Sequence, residues 1–237
     1  MNQSVELVAV TQPRIADVSP ETFTAYIARI GKIKSNPERL LRYLMSHAHW
    51  SPFEHTFVTF KIVTSRAIGR ELLRHRSFTF QELSQRYEVV PTTISIELRK
   101  QSEKNRQSST DTFDPLIDDF ITHEPMPASR VIEQLLTHIQ TVYQQLLNVG
   151  IARECARFIL PECATTTILM TGSLRSWIHF FAVRDHEDAQ KEARILAQQI
   201  KEIFIDEFPT IAQSAFTVTT QPSRFTPTEQ IKSQTLS

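Results

Sequence analysis

The sequence predicts an α+β fold, a central mixed or antiparallel sheet packed with several helices, with strands near residues 55–64 and 86–98. Three observations predict it. Residues 55–64 alternate, with Val58, Phe60 and Ile62 on one face and Thr59 and Lys61 on the other, the period of a half-buried strand. Residues 129–148 instead carry Val131, Leu135, Leu136, Ile139, Val142 and Leu146 as a helical stripe that ends at Gly150. Residues 4–10, Ser-Val-Glu-Leu-Val-Ala-Val, are β-prone and read as a first strand.

The elements follow in order. Residues 20–30 place Phe23, Tyr26, Ile27 and Ile30 at helical spacing. A second helix has Asn36 as its cap, Pro37 at its first position and Leu40, Leu41 and Leu44 as its apolar face. After the strand at 55–64, Ser65 caps a helix whose Arg66, Arg70 and Arg74 recur every four residues and share a face. Ile68, Leu72 and Leu73 then point to the core. Residues 77–87 are polar and lack glycine, and a second strand is expected over 87–90 and 92–98, with Pro91 marking a bulge or edge. Residues 99–114, charged and rich in Ser and Thr, read as a mobile surface insertion. The stripe at 129–148 is core or subunit contact. Arg153 and Arg157 lie four apart before Pro161. Thr-rich residues 165–171 lead to a helix at 172–184, with Ser173, Trp177, Phe180 and Arg184 near one face, and a last long helix spans about 187–206. The tail at 221–237 is polar and expected to be disordered.

Composition narrows the function classes. With 237 residues, 41% hydrophobic and 22% charged, the chain suits one large globular domain or two small ones. A formal net charge of zero argues against general nucleic-acid binding. Cys155 and Cys163, eight apart without a CxxC spacing, read as reduced core thiols of a cytosolic protein. No basic start with an apolar run suggests a secretory leader, and no run of 18 apolar residues suggests a membrane span.

Residues 70–87 concentrate Arg70, Arg74, Arg76, Arg86 and His75 beside only Glu71 and Glu82. Guanidinium groups fork onto phosphate or carboxylate, so the cluster suggests a pocket for an anionic small molecule. A solvated helix face carrying surface ion pairs is the plainer reading. The four glycines, Gly31, Gly69, Gly150 and Gly172, form no phosphate loop, so side chains would have to hold any nucleotide phosphates. A non-catalytic nucleotide- or RNA-binding module would use the same arginines. His47, His49 and His55 with Glu54 raise a second possibility, the zinc site of a hydrolase, although Pro52 interrupts them and no cysteine lies near. The plainer reading there is a polar loop or active-site rim.

Arg74-His75-Arg76 followed by Glu82, Ser84, Arg86 and Tyr87 resembles the signature of the flavin-dependent thymidylate synthases, RHR-x2-S-x-N-E-x-S-x-R-Y. His49-Trp50-Ser51-Pro52-Phe53-Glu54-His55, Glu154-x2-Arg157-x2-Leu160-Pro161, and Arg184 with Ala189-Gln190-x-Glu192 resemble three further blocks of that family, in its order. Thr79 stands for the signature serine and Gln81 for its asparagine, while Ser173 and His179 stand where members often carry asparagine. The resemblance covers about residues 5–220 and implies one domain over 1–220 that assembles into a homotetramer with shared active sites, in the cytoplasm. It implies conversion of dUMP to dTMP, with methylenetetrahydrofolate as carbon donor and a hydride from FADH2 that NADPH re-reduces. FAD would meet Ser51, Arg74, His75, Arg76, Glu82, Ser173, Leu174, Arg175 and His179. The nucleotide would meet Glu71, Leu72, Leu73, Arg74, Glu82, Leu83, Ser84, Gln85, Arg86, Arg157 and Arg184. Arg184 is the expected stabiliser of charge on the uracil oxygens. Ser84 is either a nucleophile or, as preferred, a nucleotide-binding hydroxyl, since no base accompanies it locally. His49 is a candidate for the folate or nicotinamide side of the flavin, or a rim residue.

Overall fold

The computed structural model describes residues 3–32, 36–90 and 92–217; the expectations for Pro91 and for the tail at 221–237 lie outside the described residues. The chain runs through β1 (Ser4–Val10), α1 (Pro20–Ala28), α2 (Pro37–Ser46) and a 3-10 turn at Ser51–Glu54. It continues with β2 (Phe57–Ser65), α3 (Arg66–Leu72) and β3 (Thr79–Glu82). Two hairpins follow, β4 (Arg99–Gln101) with β5 (Ser109–Thr112) and β6 (Leu116–Asp118) with β7 (Pro125–Pro127). Then come α4 (Ala128–Asn148), the single turn α5 (Arg153–Ala156) and a 3-10 turn at Arg157–Ile159. The chain closes on β8 (Thr165–Ser173), α6 (Leu174–Arg184), α7 (Lys191–Glu207) and α8 (Pro209–Thr217).

The expected α+β class holds, and the main sheet is antiparallel throughout, in the order β1-β2-β8-β3. Its core face follows from alternation. Val58, Phe60 and Ile62 of β2 and Ile168 and Met170 of β8 are buried, while Lys61 and Leu169 point outward. On the outer face the Thr59 and Thr171 hydroxyls pair at 2.8 Å. Trp177 of α6 is fully buried and lies edge-on to Phe60 and Phe78, its indole N–H donating to the Val58 carbonyl at 3.2 Å. Helix starts read from sequence are present: Asn36 accepts from the Arg39 amide, and Ser65 from the Ile68 amide. Gly172 matters for the site. A Cβ there would fall 2.4 Å from the Phe78 ring, so only glycine lets the turn before β3 lie against β8.

Several expectations are corrected. The strand expected at 86–98 does not form. Val90 and Ile94 are buried, but among the described residues only Thr93 makes a β-bridge there, to Ala164. One edge strand of the sheet is β3, inside the stretch read as a polar connection, and the Thr-rich lead to α6 is β8, one of its two inner strands. α3 ends at Leu72, so Arg74 lies beyond it and shares no helix face with Arg66 and Arg70; Leu73 is exposed instead of facing the core. The insertion at 99–114 is largely the hairpin β4–β5, tied to α7 by Arg99–Glu192 at 2.7 Å and by Lys191–Glu97 at 2.7 Å. The last expected helix starts at Lys191, and α8 follows it. Cys155 is exposed and only Cys163 is buried; neither is in a disulfide. On α4, Val131 is buried but Leu135 is exposed and Leu136, Ile139, Val142 and Leu146 are half-buried, which favours the contact-surface alternative over core.

Candidate active site

Two groups of expected site residues form, at opposite ends of the β3–β8 ladder. The first surrounds the C-terminal end of β8. Ser173 ends that strand in extended geometry and caps α6, accepting from the Ser176 amide at 3.3 Å. Serine and asparagine cap helices about equally well, so Ser173 serves as the cap where the resemblance implies asparagine. The Ser173 hydroxyl donates to Glu54 Oε2 at 2.5 Å, and Arg175 Nη1 donates to Glu54 Oε1 at 2.8 Å. The Ser176 hydroxyl donates to the Ser77 carbonyl at 3.1 Å, which ties the turn after α3 to the start of α6. A cavity of about 510 Å³ opens between Trp50, Glu54, Ser77, Arg175, Ile178 and His179, a volume within the ordinary range for small-molecule sites.

Arg184, at the far end of α6, is half-buried and held on three sides. Its Nε donates to His75 Nε2 at 2.9 Å, its Nη1 to Glu71 Oε2 at 2.6 Å, and its Nη2 to the Glu71 carbonyl at 3.2 Å. The His75 ring sits edge-on to Phe78 and Phe180. Burial, then the charges of Arg184 and His179, lower its pKa from 6.5 to about 4. The ring is therefore neutral at pH 7, and because Nε2 accepts from Arg184 its proton sits on Nδ1. Arg74 and Arg76 are exposed and have no carboxylate partner among the described residues. Ser51 is exposed at the start of its 3-10 turn. His49 is exposed near His47 and Tyr43, whose rings lie 6.0 and 5.9 Å away. Leu72 and Leu174 are fully buried, so contact with a ligand would fall to their backbones.

The second group lies where β3 ends. Glu82 Oε1 accepts from Arg66 Nη1 at 3.2 Å and from the Thr166 hydroxyl at 2.8 Å. Leu83 is exposed but its amide still bonds to Thr167. The Ser84 carbonyl accepts the amides of Tyr87 and Glu88, which closes a turn, and its Oγ accepts the Arg86 amide. No base contacts the Ser84 hydroxyl among the described residues. Gln85 is buried, and its Nε2 has no partner there. Arg86 pairs with Glu154 at 3.3 Å, and Arg153 donates to the Tyr87 carbonyl at 2.7 Å. Arg157 is half-buried with its guanidinium 5.7 Å from the Phe158 ring centre. From Thr79 to Leu83 the strand takes four steps, roughly 13 Å. The Ser173 and Ser84 groups are therefore separate within one chain.

Sequence reasoning gave Glu54 a place only in the zinc alternative and missed that it ties Ser173 to Arg175, although it stood in a quoted block. It also missed that Glu71 faces Arg184. The first had a signal in the block itself; the second, a pair 113 positions apart, had none. The three histidines do not converge. His47 Nδ1 is within 3.0 Å of the Tyr43 carbonyl, and among the described residues no three His, Cys, Asp or Glu side chains are grouped as metal ligands. No helix among the described residues is long and apolar enough to cross a membrane.

Comparison with known proteins identifies the family. Residues 7–210 match the family model described as thymidylate synthase complementing protein. A relative from Paramecium bursaria Chlorella virus 1, named as a probable flavin-dependent thymidylate synthase, is 42% identical over 222 residues, covering 89% of this chain and 98% of the relative. The flavin-dependent thymidylate synthase of Synechocystis sp. is 40% identical over 215 residues, covering 88% and 97%. That of Kosmotoga olearia is 34% identical over 204 residues, covering 83% and 86%.

Proposed function

The chain belongs to the flavin-dependent thymidylate synthase family, and from that premise we propose that it methylates dUMP to dTMP reductively. Methylenetetrahydrofolate is the carbon donor, and FADH2, re-reduced by NADPH, is the hydride donor. The observation that carries this reading is Arg184, fixed by Glu71 and His75 beside two exposed arginines.

The residues present fit FAD. Arg74 and Arg76 lack carboxylate partners among the described residues, so their forks are available to a pyrophosphate. Glu54 makes the neighbouring cavity unsuited to phosphate but suited to an uncharged ring system, with Trp50 and His179 in its wall. Ser51, Ser173 and Arg175 would complete the cofactor contacts. When bound, the reduced flavin supplies the hydride.

The chain's own residues position and polarise. C5 of uracil is a weak nucleophile, and as it attacks the methylene donor, negative charge builds on the uracil oxygens. A guanidinium held in a half-buried site stabilises that charge without reorganising. We assign this role to Arg184. Arg86 and Arg157 would hold the nucleotide phosphate, with Ser84 as a hydrogen-bonding hydroxyl and His49 at the rim. We propose that a second copy brings its own Arg86 turn to this Arg184, as in a homotetramer. Phe158 at 81% and Tyr87 at 77% exposure beside that turn support such a contact. A cytoplasmic location belongs to the same proposal.

The alternatives are less favoured. Arg66, Arg70 and Arg86 are paired with Glu82, Glu162 and Glu154, which breaks up the cationic face that a nucleic-acid-binding module needs. The purified protein should absorb near ~450 nm, as isoalloxazines do, and form dTMP from dUMP, methylenetetrahydrofolate and NADPH. A colourless protein that added FAD does not restore would overturn the proposal.

A further inference from the structure

Resting on that reading, we infer that Glu71 is the positioning residue for Arg184: its carboxylate and its own carbonyl oxygen, together with His75, set the guanidinium so that one N–H on each terminal nitrogen is left for a uracil oxygen. A guanidinium carries five N–H groups. Here Nε–H goes to His75, one Nη1–H to the Glu71 carboxylate and one Nη2–H to the Glu71 carbonyl. One hydrogen remains on each of Nη1 and Nη2, so the group can present a fork to a partner.

Three observations make the contact more than a surface ion pair. Glu71 lies in the last turn of α3, where the helix dipole disfavours an acid; helix stability alone therefore gives no reason for a carboxylate there. The pair is desolvated, with side-chain exposures of 25% for Glu71 and 18% for Arg184, whereas the neighbouring Arg70–Glu162 pair is at 65% and 55%. Both a charged and a backbone oxygen of one residue grip the same guanidinium, so its plane and its position are both defined. Loss of the carboxylate leaves Arg184 its backbone contact and His75 but removes the only charged anchor and leaves Nη1 unheld.

The test uses the full-length, FAD-loaded protein with Glu71→Ala and Glu71→Gln. Both variants should keep stoichiometric flavin absorbance. Glu71→Ala should lower kcat about 100-fold, as expected for a displaced catalytic group, with a smaller rise in KM for dUMP. Glu71→Gln, whose amide oxygen can accept the same N–H, should recover at least one order of magnitude of that loss. A kcat for Glu71→Ala within three-fold of wild type, or a Gln variant no better than Ala, would overturn the inference. If Glu71→Ala does not fold, Glu71→Ser, too short to reach Arg184, takes its place with the same expected and overturning results. Failure of the functional proposal is distinguishable, because it would appear in the wild type as absence of flavin and of dTMP formation.

Discussion

At the C-terminal end of β8, Glu54, Ser173, Arg175, Ser176 and Ser77 form one connected hydrogen-bond network, and at the far end of α6 Arg184 is gripped by Glu71 and His75. At the other end of the ladder, the turn at residues 84–87 is tied to the segment at 151–161 through Arg86–Glu154 and the Arg153 bond to Tyr87, all on exposed side chains. Exposed pairs of this kind contribute roughly 0–1 kcal/mol. The first end is thus organised by one chain before any ligand arrives. The second is loosely held and beside large exposed apolar side chains, as befits a surface that meets another molecule. The difference is what the proposal expects of a nucleotide site whose two halves have different tasks, one polarising the base and the other gripping the phosphate.

The largest test of that contrast is Arg184→Ala. Flavin binding should persist while the barrier to methylation rises by about 2–4 kcal/mol, as for loss of an oxyanion donor. Single-turnover rates on the FAD-loaded protein measure this, and near-normal turnover would remove the chemical role of the preorganised end. Next is Gly172→Ala. Its methyl group meets the buried Phe78 ring at 2.4 Å, and such overpacking costs about 1–3 kcal/mol. Chemical denaturation should show that loss, with weaker FAD retention because the 75–78 turn must move. Unchanged stability would mean the turn is not seated by β8.

A smaller effect is expected from pH. His75 stays neutral in the folded chain down to about 4, whereas the unfolded chain takes up the proton at 6.5. The unfolded state therefore binds more protons within that window, so stability falls as pH drops from 6.5 toward 4 and is unaffected above it. Because the ring is only half-buried, solvent screening reduces the effect. Melting temperature against pH should slope less in His75→Asn; an identical slope would mean that other groups carry it. The smallest effect belongs to the loose end. Glu154→Ala should change stability by less than about 1 kcal/mol, and a markedly larger loss in urea denaturation would show that the second end is also structurally fixed.

Much of the fold could be read locally. β2 showed itself by strict alternation, α2 and α3 by Asn36 and Ser65 at their caps, and α4 by its stripe and Gly150. β8 and β3 were missed for related reasons. Thr165, Thr166 and Ile168 are all buried, so this inner strand shows little alternation at its start, though its β-branched residues were a usable signal. β3 is four residues long and gains its pairing from β8 alone. Conversely, residues 92–98 have strand-like composition, but only Ile94 among them is buried, and Thr92, Thr93 and Ile94 meet residues 163–165 through single bonds without extended pairing. Local propensity yields to whichever neighbour the packing supplies.

By itself, the amino-acid order determined the α+β class, the positions of most helices and the four blocks by which the family is recognised, because caps, periodicity and motif spacing act over a few residues. Tertiary structure alone decided that β8 is an inner strand of the sheet, that Arg74 leaves the helix, and that Glu71 faces Arg184. Those outcomes depend on side chains a hundred or more positions apart meeting in a packed core, and no local pattern encodes which of them will meet.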